Sequence, residues 1–183
     1  FYYNQSTEVK SIATNLSTSQ MIDDIAKKHG SEVLRSAVGE LNVVDLMKEN
    51  DIDFGGEGNG GIIYRGSHYG RDSIVGASMI LSYLSIYGNT ISSAIDKLPK
   101  YYMVKEKIST DSYDTDKLKS FINKYYPRAT VDTADGIKII FQENCSWVHI
   151  RSSNTEPVVR IIAEASSDQE IRELLSVFKG ALC

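Results

Sequence analysis

The 183-residue chain is long enough for one large domain or two small ones, and either can bury a core without metals or disulfides. Its 20 Lys and Arg against 24 Asp and Glu leave a net charge of −4, which argues against a broad nucleic-acid or anionic-membrane surface, so any phosphate must be met locally. Two cysteines make no disulfide framework and point to a reducing cytoplasm, no apolar run reaches the roughly eighteen residues of a membrane span, and no basic-then-apolar leader opens the chain.

The start at Phe1-Tyr2-Tyr3, without a Met and running at once into strand-like sequence, suggests a piece of something longer. β-Branched and apolar residues over 8–16 predict a strand, and Ser17 with Gln20 predicts a capping box opening a helix that runs to 28 and stops at Gly30. A strand over 32–38, a short helix over 43–49, a turn region over 54–61 and a strand over 62–64 follow. This βαβαβ alternation signifies an open sheet layered with helices. Asp72 is placed to cap the next helix, where Ile74, Val75, Ala77, Ile80, Leu81 and Leu84 give an apolar face wide enough to imply burial, with Gly88 as its stop. A last short helix covers 91–97. At Leu98-Pro99-Lys100 the pattern breaks and the sequence turns Tyr-rich, which sets a domain boundary at about Pro99, between 1–98 and 99–183.

The second part reads as a strand over 101–108, a helix over 115–125, strands over 137–141, 147–151 and 158–165, and a helix from 168 to about 179. Cys145 falls in strand-like sequence. By the two-residue period Val148 and Ile150 face one way, and Trp147, His149 and Arg151 the other. The expected fold class is α/β: a layered mixed-sheet domain, then a small α+β domain whose antiparallel sheet is backed by two helices.

The densest anion-binding chemistry lies in Arg151-Ser152-Ser153-Asn154-Thr155-Glu156-Pro157, followed by Arg160. Two guanidiniums bracket three hydroxyls, and Asn154 tolerates the positive φ that turns backbone N–H groups inward as an anion nest. Ser, Asn, Thr and Pro equally make ordinary polar turns, in which Glu156 would merely pair with an arginine. A second loop, Phe54-Gly55-Gly56-Glu57-Gly58-Asn59-Gly60-Gly61, surrounds one carboxylate and one carboxamide with five glycines. Glu57 accepts hydrogen bonds and Asn59 both donates and accepts, a pair suited to vicinal sugar hydroxyls, although a flexible glycine turn is the plainer alternative. No Gly-Lys-Ser/Thr follows, and the next element is a strand, so neither a P-loop nor a dinucleotide fingerprint fits.

Ser17-Thr18-Ser19 reads as helix capping, Arg71-Asp72 as an ion pair and cap, and Asp111, Asp114 and Asp116 as solvated carboxylates. His29, His68 and His149 have no metal spacing with each other or with a cysteine.

Together the two loops resemble those of the α-D-phosphohexomutases, the family of phosphoglucomutase, phosphomannomutase and phosphoglucosamine mutase. Gly56-Glu57-Gly58-Asn59-Gly60-Gly61 is similar to the family's sugar-recognition loop, and residues 151–157 to its C-terminal phosphate loop. The order of elements fits the third and fourth of the family's four domains. The resemblance implies that Glu57 and Asn59 hold hexose hydroxyls, and that Arg151, Ser153, Asn154, Thr155 and Arg160 hold the non-reacting phosphate. Many bacterial members carry Ser-Gly-His where this chain has Asn59-Gly60-Gly61, as archaeal-type members do, which leaves the preferred hexose open. Val38-Gly39-Glu40 resembles another active-site turn of the third domain and is assigned no contact.

The family's phosphoserine loop of the Ser-His-Asn-Pro type and its triple-aspartate magnesium loop do not occur, and Asp132, Asp135 and Gly136 do not reproduce the latter. The resemblance therefore implies a cytoplasmic mutase that moves phosphate between O1 and O6 of a hexose. It works through a bisphosphorylated intermediate, with Mg2+ and a hexose 1,6-bisphosphate activator belonging to the full-length enzyme. These 183 residues supply recognition alone, with no catalytic or metal-binding residue and with domains one and two upstream in the same chain. The alternative is a stand-alone sugar-phosphate-binding or regulatory module. Nucleic acid is disfavoured as a partner by the acidic balance.

Overall fold

A computed structural model describes residues 9–109, 113–153 and 156–182. The chain divides into two compact units, Phe1–Lys100 and Tyr101–Cys183.

In the first unit the elements are β1 (Ser11–Asn15), α1 (Met21–Lys28), β2 (Glu32–Ser36), α2 (Glu40–Glu49), β3 (Phe54–Glu57), β4 (Gly61–Tyr64), β5 (His68–Arg71), α3 (Ser73–Tyr87) and α4 (Ile91–Ile95). The sheet order is β2-β1-β3-β4-β5, with β1 parallel to both neighbours and the β3-β4-β5 meander antiparallel. Parallel pairing requires crossovers, and α1 and α2 supply them. Ala13, Val43, Val44, Met47, Ile52 and Ile63 form the buried core between α2 and the sheet.

Four features of the elements in this unit differ from the sequence reading. The glycine-rich stretch is not all turn: its first half is the strand β3, flanked by β1 and β4. Ladder bonds on both edges offset glycine's weak strand preference, and the missing side chain lets Met47 close in, since a Cβ at Gly55 would lie 2.5 Å from its Sδ. The edge strand β5, four residues long, carries too short a pattern to be read in sequence. The capping box predicted for α1 is absent: the N-cap is Gln20, whose side chain makes no capping bond, and Ser19 Oγ accepts from the Met21 N–H at 3.1 Å.

The fourth concerns α3. Asp72 caps it as predicted, accepting from the Ile74 and Val75 N–H groups, and Gly88 ends it in the left-handed conformation. None of its residues is buried, however, and Ile74 is 77% and Leu81 66% exposed. Apolar residues run right round this helix rather than along one stripe, so packing on β4 cannot cover them all.

The second unit contains β6 (Tyr102–Ile108), α5 (Thr115–Tyr125), β7 (Thr130–Asp132), β8 (Ile137–Phe141), β9 (Ser146–Ser152), β10 (Val159–Ala165) and α6 (Asp168–Leu182). Its sheet is antiparallel throughout, in the order β6-β10-β9-β8-β7. Leu118 and Ile122 of α5 and Ile171, Leu175 and Phe178 of α6 pack on Ile137, Ile139, Val148, Ile150 and Ile161, so two helices back one face. Phe178 stacks with Tyr126 and meets Phe121 edge-on, which adds aromatic contacts to that core.

The three-residue β7 escaped the sequence pattern. Cys145 is not in a strand: it ends a 3₁₀ turn at φ 49° and is exposed. Asp114 is exposed, as expected, and also caps α5 by accepting from the Asp116 and Lys117 N–H groups. Asp111 and Cys183 lie outside the described residues.

Candidate functional site

The first unit builds a loop around Glu57, the last residue of β3, whose side chain is only 6% exposed. Asn15, ending the adjacent β1, donates from Nδ2 to Glu57 Oε1 at 2.8 Å, and the Gly39 N–H at the start of α2 donates to the same oxygen at 3.3 Å. Asn59 Nδ2 reaches Oε2 at 3.4 Å. Carboxylate and carboxamide are thus brought together at one loop.

Thr18 ties the loop to the β1–α1 connection. Its hydroxyl accepts from the Gly58 N–H at 3.0 Å and donates to Asn15 Oδ1 at 3.0 Å. Of the stretch expected only to cap a helix, Ser19 accepts from the first turn of α1, while Thr18 braces the glycine loop. Arg35 holds this connection from below, donating to the Asn15 and Thr18 carbonyls at 2.9 Å each and pairing with Asp23. Asn15 and Arg35 are the members that sequence reasoning missed, while Thr18 and Gly39 lie in stretches that it singled out without giving them this role. The signal for Asn15 is its position at the C-terminal end of a parallel strand, where open α/β sheets hold ligands.

Beside Glu57 runs a second pair. Arg71 Nε donates to Glu40 Oε2 at 2.8 Å and its backbone N–H to Oε1 at 3.0 Å, so Arg71 and Asp72 are not paired with each other as expected. These two contacts, the backbone bond first, hold the Glu40 carboxyl below its ordinary pKa. Asp72 pairs instead with His68 at 3.0 Å.

In the second unit, Arg160 of β10 stands directly opposite Arg151 of β9 in the antiparallel ladder, so both side chains leave the same face. Each has a counter-ion. Arg151 is buried, with Nε 3.0 Å from Asp135 Oδ2, although its N–H does not lie along that contact. Arg160 Nη2 is 3.5 Å from Glu156 Oε1 and its Nε donates to Ser153 Oγ at 3.3 Å. Glu156 also accepts from Lys107 Nζ at 2.6 Å, and this bond holds its carboxyl below the ordinary range. A hydrogen bond from the Ser153 N–H to the Val158 carbonyl, 2.9 Å, closes the loop at its base. Asn154 and Thr155, the other expected phosphate contacts, lie outside the described residues.

The turn that carries Asp135 is pressed onto β9. Gly136 has φ 71°, and a Cβ there would lie 2.3 Å from the Ile150 carbonyl oxygen and 2.8 Å from Arg151 Cβ, so only glycine fits. His149 is fully buried beside it and donates from Nε2 to the Asp135 carbonyl at 2.6 Å. Asp135 and Gly136, which fail as a metal motif, position Arg151. Among the described residues no three His, Cys, Asp or Glu side chains cluster as a metal site, and no helix is long and apolar enough to cross a membrane.

Two consecutive domain models match the sequence: the alpha/beta/alpha domain III of phosphoglucomutase/phosphomannomutase over residues 2–102, and the C-terminal domain of the same proteins over 104–179. The chain belongs to the phosphoglucomutase/phosphomannomutase family. Among its relatives is a phosphoglucomutase/phosphomannomutase of Thermococcus kodakarensis, 39% identical across 91% of this chain and 36% of that protein. A phosphoglucosamine mutase of Methanocaldococcus jannaschii is 30% identical across 95% of the chain and 39% of its own length. The chain thus spans well under half the length of these relatives.

Solved structures agree on the fold. A phosphoglucomutase/phosphomannomutase family protein of Burkholderia thailandensis superposes with a TM-score of 0.79 at 23% identity, covering 94% of this chain and 37% of that one. The N-acetylphosphoglucosamine mutase of Aspergillus fumigatus, solved with GlcNAc-6P and magnesium, gives 0.66 at 15% identity, over 94% of this chain and 38% of its own. The α/β layered mixed-sheet unit followed by the small α+β unit is the architecture of domains III and IV of this family.

Proposed function

We propose that the chain is the C-terminal substrate-recognition part of a phosphohexomutase, an isomerase that as a complete protein interconverts hexose 1-phosphate and hexose 6-phosphate. In this reading Glu57 and Asn59 hold ring hydroxyls, and Arg151, Ser153, Asn154, Thr155 and Arg160 hold the phosphate that is not reacting. The observation that carries it is the placement of two arginines directly opposite each other on one sheet face. Like charges in that position destabilise a ladder, and Asp135 and Glu156 offset the repulsion without removing the capacity to take a doubly charged phosphate ester.

A sugar that is turned end for end during the reaction needs a grip on whichever phosphate is idle. Interactions made there, remote from the reacting end, position the other phosphate for transfer. In this proposal the phosphoserine, the metal and the hexose 1,6-bisphosphate activator belong to the complete protein, and the chemistry assigned to these residues is binding.

In the complete protein, Arg160→Ala should lower kcat/KM for hexose 1-phosphate by ~10- to 100-fold, the scale of one charge-assisted hydrogen bond or two. Steady-state kinetics with the 1-phosphates of glucose, mannose and glucosamine check this and identify the preferred hexose. Wild-type kinetics in the variant remove Arg160 from the site, and sugar-phosphate binding without turnover in the complete protein would make it a binding module instead.

A further inference from the structure

We propose that Lys107 is a further phosphate-contacting residue, and that Lys107 and Arg160 exchange the Glu156 carboxylate for the idle phosphate of the sugar ester; the inference deepens the phosphate-site reading above and rests on it. The register of the second sheet leads to it. Arg160 lies opposite Arg151 on one side and opposite Lys107 of β6 on the other. Alternation along each strand fixes the face they share. Val104 and Ile108 of β6, Ile161 of β10 and Ile150 of β9 pack in the core with α5 and α6, and Glu106 pairs with Lys179 of α6. Lys107, Arg160 and Arg151 therefore stand in one row on the face opposite those helices. With strands about 4.8 Å apart, the row is about 10 Å long.

Like charges directly opposite one another destabilise a ladder, and here three cations are answered by two carboxylates, which leaves one positive charge in surplus. Asp135 serves Arg151 alone. Glu156 is shared, with Oε2 2.6 Å from Lys107 Nζ and Oε1 3.5 Å from Arg160 Nη2. The two outer cations thus converge on a single anionic group through different oxygens, the arrangement that a phosphate ester, with more oxygens and more charge, satisfies better. As an exposed ion pair, Lys107 and Glu156 contribute little to the fold itself.

Exposure sets which counter-ion can leave. Side-chain exposure rises along the row from 10% at Arg151 through 35% at Arg160 to 54% at Lys107, and Glu156 is 42% exposed. Arg151, held against Asp135, keeps its partner, while the outer pair is open to trade. The bond from Lys107 keeps Glu156 ionised at neutral pH, so a phosphate dianion arriving over the same cations is repelled by that carboxylate and takes its place.

Calorimetric titration of the complete protein with the 1-phosphates of glucose, mannose and glucosamine tests the exchange. Lys107→Ala should weaken the best-bound ester about tenfold, and Lys107→Arg should restore most of the loss. Glu156→Gln, which removes the competing anion but keeps the shape of the side chain, should tighten binding about threefold. A merely structural role for Glu156 cannot raise affinity, so this variant decides the matter even if Lys107→Ala destabilises the protein. Wild-type affinity in Lys107→Ala, or an affinity in Glu156→Gln that is unchanged or lower, overturns the proposal. Should Arg160→Ala weaken the ester while Lys107→Ala does not, the phosphate site stands without Lys107. A wild-type protein that binds none of the three esters overturns the phosphate-site reading, and this inference with it.

Discussion

At the scale of single residues, the second unit concentrates charge where an apolar sheet face would be the simpler construction. Lys138, His149, Arg151 and Glu164 are all buried there, and each is compensated. Lys138 Nζ sits 4.2 Å above the Trp147 ring, whose Nε1 donates to Glu164 at 2.9 Å, and Asp135 serves both His149 and Arg151. For His149, burial pushes the imidazole below its ordinary value of 6.5, outweighing the Asp135 carbonyl and carboxylate that act to raise it.

The sign of the pH effect follows. Above about 6.5 neither the folded nor the unfolded imidazole carries the extra proton, so stability is unaffected. As pH falls below that value the unfolded chain takes up a proton that the folded chain resists, and stability is lost until the folded pKa is passed. Urea midpoints measured between pH 7 and pH 5 should fall, and His149→Gln should flatten the slope whatever its effect on absolute stability. Glu40, Asp72 and Glu156, all held below their ordinary values, act in a lower window, below about 4.5, and weakly because solvent reaches all three.

At the scale of elements, what was legible in the sequence depended on length and periodicity. The α3 caps, Asp72 and Gly88, could be read because both act within a few residues. The same holds for the split in β9, where Val148 and Ile150 join the cluster under the helices while Trp147, His149 and Arg151, buried as well, do not. Short edge strands such as β5 and β7 were invisible, because three or four residues give no period to detect and their ladders depend on distant partners. The exposure of α3 was invisible for another reason: pattern reveals an apolar surface but not whether anything in the chain covers it. Leu81→Lys should accordingly change the stability of this chain by no more than ~0.5 kcal/mol, whereas Ile150→Ala in the buried core should cost ~2–5 kcal/mol, both measured by urea unfolding.

At the scale of the whole molecule, a net charge of −4 coexists with a phosphate-binding proposal because the positive charge is local, carried by the opposed arginines and Lys107. Recognition of that kind should be selective. At 0.15 M salt, hexose 1-phosphate supplied at about a hundred times its dissociation constant should stabilise the complete protein by ~2.7 kcal/mol, while duplex DNA should leave its melting curve unmoved. Thermal melts with each additive check both.

The sequence by itself determined the family, the fold class and the two loops, since all three rest on residues adjacent in the chain: the glycines around Glu57, the Arg151-to-Pro157 run, and the alternation of strands and helices. Only the tertiary structure decided what holds those loops. Asn15 and Gly39 meet Glu57, Glu40 meets Arg71 over Gly61, and Asp135 meets Arg151, each through contacts between residues separated by at least sixteen positions. A hydrogen bond or an ion pair depends on distance in space, and where strands pair in a β2-β1-β3-β4-β5 order, nearness in space is set by the sheet and not by the order of residues along the chain.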